Sequence, residues 1–279
     1  GFVKSYRRAD LQHQTVEVIQ NSEGVVYYDY QRVAESDGPL RDPGEFTEFN
    51  LLRELLGVDF QHHVFYVSFA HFRSKAGQVA TVNRRSVSDT VFAGLGSLAG
   101  LEWLAVNNAN ITDSEISSLL SNTDLERLWL SQNPVTDAGI RQIGYEQRLK
   151  HLYADATLLT DNGVAYISLV PELESLSLAE TATSDLGIEY LRNATNLQLL
   201  ALDHTRVGNQ GATCLGELPK LTTLSMRGTR ITDLGMKSIQ QLRGLKRLAI
   251  DENRIEKCLL DKTWIEEADL RLDLDGIGE

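Results

Sequence analysis

The chain has 279 residues, 27 of them basic and 39 acidic, for a formal charge of −12. A charge this negative repels phosphate backbones and anionic bilayers, so nucleic acid is not an expected partner. With 42 % hydrophobic and 24 % charged residues the composition is that of a folded protein, and no run of about 18 apolar residues exists to insert into a membrane. Residues 1–59 read as an α+β N-terminal cap. Within it, residues 10–22 (DLQHQTVEVIQNS) place Val16 and Ile19 on one side of a helix closed by Gly24. VVYYDY at 25–30 reads as a strand, and residues 45–56 (EFTEFNLLRELL) as a second helix ending at Gly57.

From residue 60 to residue 257 the chain repeats. Leu101, Leu125, Leu149, Leu173, Leu197, Leu221 and Leu245 stand 24 residues apart. Taking these as position 1, position 4 is Leu in all seven copies, and position 6 is Val106, Leu130, Ala154, Leu178, Leu202, Met226 and Ile250. Alternation at positions 4 and 6 has the period of a strand with one face inward. Position 9 is mostly Asn or Thr (Asn133, Thr157, Thr181, Thr205, Thr229), a small residue able to satisfy the backbone where the chain turns away. Position 11 is mostly aliphatic, with Thr183 the exception. The second half follows T-D-x-G-φ (φ apolar), as in Thr136-Asp137-Ala138-Gly139-Ile140, where Thr suits an N-cap and Asp the positive end of a short helix. The glycine of that motif implies a neighbour too close for a Cβ. An earlier copy begins at Val64 with Val67 and Phe69, and resumes at Val87-Ser88-Asp89 with Phe92 and Leu95. Val64 lies 37 residues before Leu101, 13 more than the repeat step, which places a 13-residue insertion near 71–83, making about eight repeats in all.

This pattern resembles the leucine-rich repeat. The resemblance implies an α/β fold: a curved solenoid with parallel strands on the concave face and short helices on the convex face. The segment before the repeats is similar to that in some bacterial leucine-rich repeat proteins of unassigned function. Residues 258–279 read as a C-terminal cap, with Leu259, Leu260, Trp264 and Ile265 in helical spacing before an acidic, frayed tail, DLRLDLDGIGE.

In such a geometry positions 3 and 5 flank the inward leucine and point outward. Position 3 reads Tyr66, Trp103, Arg127, His151, Ser175, Leu199, Thr223, Arg247, and position 5 reads Ser68, Ala105, Trp129, Tyr153, Ser177, Ala201, Ser225, Ala249. Adjacent strands lie about 4.8 Å apart, so Tyr66, Trp103, Arg127, Trp129, His151 and Tyr153 form one expected partner-binding patch of the Trp, Tyr and Arg types that dominate interface hot spots. The competing reading is that the insertion folds back over these aromatics. Positions 7 and 8 supply a mainly acidic rim, Asp155, Glu180, Asp203, His204, Arg227, Asp251 and Glu252, suited to a basic peptide or simply solvated.

Catalytic signals are poor. His62, His63 and His71 with Asp59 lack a metal-binding signature, since adjacent strand residues point to opposite faces. Asp273-Leu274-Asp275-Gly276 resembles the middle of a calcium loop, but Arg271 occupies the first ligand position. Ser175 stands beside His151 with no carboxylate next to the histidine in its row. Cys214 and Cys258 fall two copies apart, too far for a disulfide, and Asn110-Ile111-Thr112 and Asn193-Ala194-Thr195 match glycosylation sequons. No catalytic residue, metal or cofactor is therefore expected. The expected function is non-catalytic binding of a protein or peptide on the concave surface. Its alternative is a structural spacer held at the cell envelope, and a hydrolase or metal-dependent enzyme ranks below both. The start at Gly1, without a charged-then-apolar leader, fits an extracytoplasmic fragment whose upstream signal or anchor has been removed.

Overall fold

The computed structural model describes residues 25–28, 64–68, 101–119, 125–145, 148–251 and 271–275. The helices expected over 10–22 and 45–56, the insertion near 71–83, the histidines at 62, 63 and 71, Cys258 and the helical spacing at 259–265 lie outside these residues.

Among the described residues ten strands form one open, uncurled sheet in sequence order. They are β1 (Val25–Tyr28), β2 (Val64–Ser68), β3 (Trp103–Ala105), β4 (Arg127–Trp129), β5 (His151–Tyr153), β6 (Ser175–Ser177), β7 (Leu199–Ala201), β8 (Thr223–Ser225), β9 (Arg247–Asp251) and β10 (Arg271–Asp275). β1 runs antiparallel to β2, and every later pair is parallel. Tyr66 pairs with Trp103 and Val67 with Leu104, so the copy beginning at Val64 keeps register despite its insertion. The acidic end differs from the frayed tail its charge implied: Arg271 pairs with Arg247 and Leu272 with Leu248, continuing the 24-residue step by one more rung.

Short helices alternate with the strands over Asp113–Leu119, Asp137–Ile140, Asp161–Ile167, Asp185–Tyr190, Asn209–Leu215 and Asp233–Ile239. The core lies between strands and helices. In the copy starting at Leu149, positions 1, 4, 6, 11, 16 and 19 are Leu149, Leu152, Ala154, Leu159, Val164 and Ile167, all fully buried. Position 9 closes the turn as its chemistry requires: Thr157, Thr181, Thr205 and Thr229 each donate to the carbonyl three residues back at 2.7 Å. Thr183, the polar exception at position 11, is fully buried and shares a 2.8 Å hydrogen bond with Thr181. Val207 and Ile231 fill the same place elsewhere without a hydroxyl. Thr183→Val is expected to raise stability by up to about 1 kcal/mol, because Thr181 keeps its backbone acceptor; a loss of stability in a urea titration would contradict this.

The Thr-Asp pair does more than cap. Each position-13 side chain accepts the backbone N–H of the next copy's position 12, from Asp113 with Thr136 through Asn209 with Thr232, at 2.6–2.9 Å. Four of those five also accept the next hydroxyl, which stitches the helix side copy to copy. The recurrence of glycine at position 15 then has a specific cause. A Cβ on Gly163 would lie 2.5 Å from Asp137 Oδ1 and 2.9 Å from Leu159 Cδ2, and Asp137 is held in place by Thr160. Gly163→Ala is expected to destabilise by about 1–3 kcal/mol through overpacking, whereas helix propensity alone favours alanine by about 1 kcal/mol; the sign of the change in chemical denaturation decides between them. At the first described helix the Glu115 carboxylate reaches back over the helix start, accepting from Thr112 N at 2.8 Å and from the Thr112 hydroxyl at 2.6 Å. Burial pushes the Glu115 carboxyl up, but hydrogen bonds from Thr112 and Ser114 outweigh it and leave the group below its ordinary value.

Candidate functional site

Outward positions 3 and 5 make two parallel rows across the sheet, since Trp103, Arg127, His151, Ser175, Leu199, Thr223 and Arg247 are successive register partners, as are Ala105, Trp129, Tyr153, Ser177, Ala201, Ser225 and Ala249. Each row is set by the buried leucine between its members: Leu104, Leu128 and Leu152 have no exposure, so their neighbours on the strand must face away. Register places Tyr66 beside Trp103, at the head of the first row.

The aromatic residues are packed into pairs. Arg127 lays its guanidinium over the Trp103 ring, 4.5 Å from the centroid, a cation–π contact. Trp129 and Tyr153 stack with centroids 5.5 Å apart and planes within 4°, an offset geometry favoured by ring quadrupoles. Trp103 is only 8 % exposed, whereas Arg127, Trp129, His151 and Tyr153 are half-buried. The patch therefore differs from a set of equivalent outward anchors: Trp103 forms a floor beneath Arg127, and the stacked pair carries the accessible aromatic area. Beyond Tyr153 the floor drops to Ser175 and Ser177, both buried, and then to Ala201, Ser225 and Ala249.

The acidic rim has a structural task that its charge concealed. Asp155 Oδ1 accepts from Ala179 N at 2.9 Å and from the Ser177 hydroxyl, and its Oδ2 accepts from Ser131 Oγ at 3.1 Å. Asp203 accepts from Arg227 N at 2.7 Å and from Ser225 Oγ, and Asp251 accepts from Gly228 N at 2.6 Å. Asn107 accepts from Ser131 N in the same way, so the recurrence of Asn, Ser and Asp at position 7 was a readable signal of a ladder. Position 8 is left-handed in six copies, Asn108, Gln132, Ala156, Glu180, His204 and Gly228, with φ between 50° and 64°. Beside this row an open groove of about 390 Å³ is lined by Asn108, Asn110, Gln132 and Ala156.

Ser175 and His151 are register partners, as expected, within rows that hold no Asp or Glu from β3 to β9. Among the described residues no group of three or more His, Cys, Asp or Glu is placed to hold a metal, and no helix is long and apolar enough to cross a membrane. Cys214 is a buried free thiol whose pKa burial pushes up, which suppresses the reactive thiolate.

Residues 217–239 match the family described as Leucine Rich repeat. No curated protein matches the chain. Among solved structures, a leucine-rich repeat protein of Leptospira interrogans is similar at 23 % identity and a TM-score of 0.52, over 65 % of this chain and 45 % of that one. An internalin of Listeria monocytogenes is similar at 20 % identity and a TM-score of 0.50, over 80 % of this chain and 66 % of that one. Internalin C2 of the same organism is similar at 21 % identity and a TM-score of 0.49, over 74 % of this chain and 84 % of that one. At these identities the likeness to the Leptospira protein and to the first internalin is one of fold alone: parallel strands alternating with short helices in a solenoid.

Proposed function

We propose that this leucine-rich repeat protein is a non-catalytic scaffold that binds a protein or peptide on the outward rows of its strand face. The observation that carries the reading is the stacked Trp129–Tyr153 pair beside Arg127 and His151. Two aromatic rings already packed on one another lose little rotamer freedom when a partner lands on them, so their burial converts efficiently into affinity. Arg127 is held in the same way over the Trp103 ring, in the neighbouring row. Trp129 and Tyr153 serve as the anchors, Arg127 and His151 as the polar contacts, and Trp103 and Tyr66 as the supporting edge.

The test is a capture from native lysate followed by calorimetry on the recovered partner. Trp129→Ala is expected to weaken binding by about 2 kcal/mol, roughly thirtyfold, as for a central aromatic anchor. Unchanged affinity removes the proposal.

A further inference from the structure

The strand face drops at β6, where Ser175 and Ser177 are 8 % and 7 % exposed between half-buried neighbours. His151 and Tyr153 stand on the β5 side and Leu199 and Ala201 on the β7 side. β6 is therefore the bottom of a slot two strand steps wide, about 9.6 Å at about 4.8 Å per step. The two hydroxyls at its bottom differ. Ser177 donates its proton to Asp155, which leaves lone pairs toward the slot. The Ser175 hydroxyl has no hydrogen-bond partner among the described residues, and its oxygen is not sealed from solvent. A side chain more than nine-tenths buried with its one polar atom unpaired is completed by a group from outside. The aromatic wall is one-sided as well: Trp129 covers the Tyr153 ring from the β4 side, which turns the other ring face toward β6. Across β5 to β7 the charged residues at positions 2, 3, 5, 7 and 8 are Lys150, Asp155, Glu174, Glu180 and Asp203, with His151 and His204 beside them. Lys150, the cation of that set, is ion-paired to Glu126 on the β4 side at 3.4 Å. Arg127 and Arg227 belong to the next copies out on either side, so the field over β6 is negative.

From these placements we infer that the partner inserts an arginine side chain into the slot at β6. Its guanidinium lies flat on the free face of Tyr153, donates to the hydroxyl oxygens of Ser175 and Ser177, and is balanced by the Asp155 carboxylate behind Ser177. This rests on the strand-face reading above. A planar cation with several donors matches a slot that has a ring for one wall and two oxygens for its floor, whereas a lysine ammonium is a point charge without a stacking face. A carboxylate or phosphate would meet the Ser177 lone pairs and the charge of Asp155.

The probe is N-acetyl-arginine methylamide, titrated into the full isotope-labelled chain while the backbone amide signals of Ser175 and Ser177 are followed by NMR. The citrulline counterpart, equal in shape and uncharged, and the lysine counterpart are the controls. The arginine probe is expected to shift both signals saturably with a Kd on the order of 1–10 mM, and each control to bind several-fold more weakly. Asp155→Asn is expected to weaken the arginine probe about threefold and to flatten its salt dependence. Asn107 already accepts the equivalent backbone N–H in an earlier copy, so this variant keeps the ladder. Ser175→Leu fills the slot and is expected to weaken the probe at least about tenfold; Leu199 holds the same position one copy on, so the fold accommodates it. No saturation up to about 50 mM, equal binding of the citrulline or lysine probe, or the same Kd for wild type and Ser175→Leu overturns the inference. The captured protein separates this from the broader reading. If Trp129→Ala abolishes capture while Ser175→Leu leaves it unchanged, the arginine slot is wrong and the strand face stands; if neither variant reduces capture, both fall.

Discussion

A Leu176→Asp variant is expected to lose the cooperative unfolding transition of the central copies, whereas Glu174→Ala, two residues away, melts like wild type. Leu176 is fully buried at position 4 of β6, in register between Leu152 and Leu200. Removing a buried leucine costs about 2–5 kcal/mol, and an unpaired carboxylate in its place adds several kcal/mol of desolvation or forces the group to protonate. A solenoid copy is stabilised mainly by its two neighbours, so loss of one central rung also strips an interface from each of them. The effect is therefore set to exceed about 5 kcal/mol, the range of exceptional substitutions. Glu174 is half-exposed, and its fold contribution comes from the backbone, whose carbonyl accepts from Gln198 N at 2.7 Å and Leu199 N at 3.0 Å. Alanine keeps both bonds, so the change stays within about 0.5 kcal/mol. Circular dichroism melts of the two variants compare them directly, and similar melting temperatures contradict the inward placement of that leucine.

Asn133→Ala is expected to destabilise by about 3–5 kcal/mol. Asn133 is 2 % exposed and joins two copies. Its Oδ1 accepts from Ala109 N and Ile111 N, each at 3.0 Å, while its Nδ2 donates to Val106 O at 2.8 Å and Leu130 O at 2.7 Å. Alanine removes these bonds and leaves buried backbone groups without them, at about 1–3 kcal/mol for each that water cannot reach. Asn133→Thr is expected to recover part of the loss, because threonine at this position in four later copies donates to the carbonyl three residues back. It cannot also accept from Ala109 and Ile111 while bridging to Val106, so recovery is incomplete. A urea titration that ranks wild type above Thr and Thr above Ala bears out this bond count; equal stability of Asn133→Ala and wild type contradicts it.

The repeat step made most of the solenoid legible, because a period of 24 fixes which side chain faces inward without any knowledge of the turns between copies. Register from Trp103 to Arg247 follows from that count alone, and Tyr66 joins it once the 13 extra residues before Leu101 are allowed for. The last rung was equally accessible: Leu272 and Leu274 keep the step from Leu248 and Ile250, but four acidic residues among the last eleven obscured it as a tail. Partnering between side chains was less legible. Position-7 carboxylates look like free surface charge one at a time; only the recurrence of Asn, Ser and Asp at that position hints at a ladder, and not which groups Asp155 spans, namely Ser131, Ser177 and Ala179 N. For the patch, spacing brought Trp103, Arg127, Trp129, His151 and Tyr153 together but could not show which rings cover which. That Arg127 lies over Trp103, which is 8 % exposed, depends on rotamers. The glycines of the T-D-x-G motif were legible as close approaches, and the coordinates identify the approaching atom as the preceding copy's position-13 side chain.

The central claim is that the strand rows, and not the helix side, meet the partner. Hydroxyl-radical footprinting of the chain alone and with its captured partner reads both surfaces in one experiment. Trp129 and Tyr153 report the strand face, while Tyr145 and Leu234, 71 % and 66 % exposed, report residues outside the rows. Partner binding is predicted to lower labelling of Trp129 and Tyr153 several-fold and to leave Tyr145 and Leu234 unchanged; protection of Tyr145 and Leu234 with the strand-face pair still labelled would contradict the account.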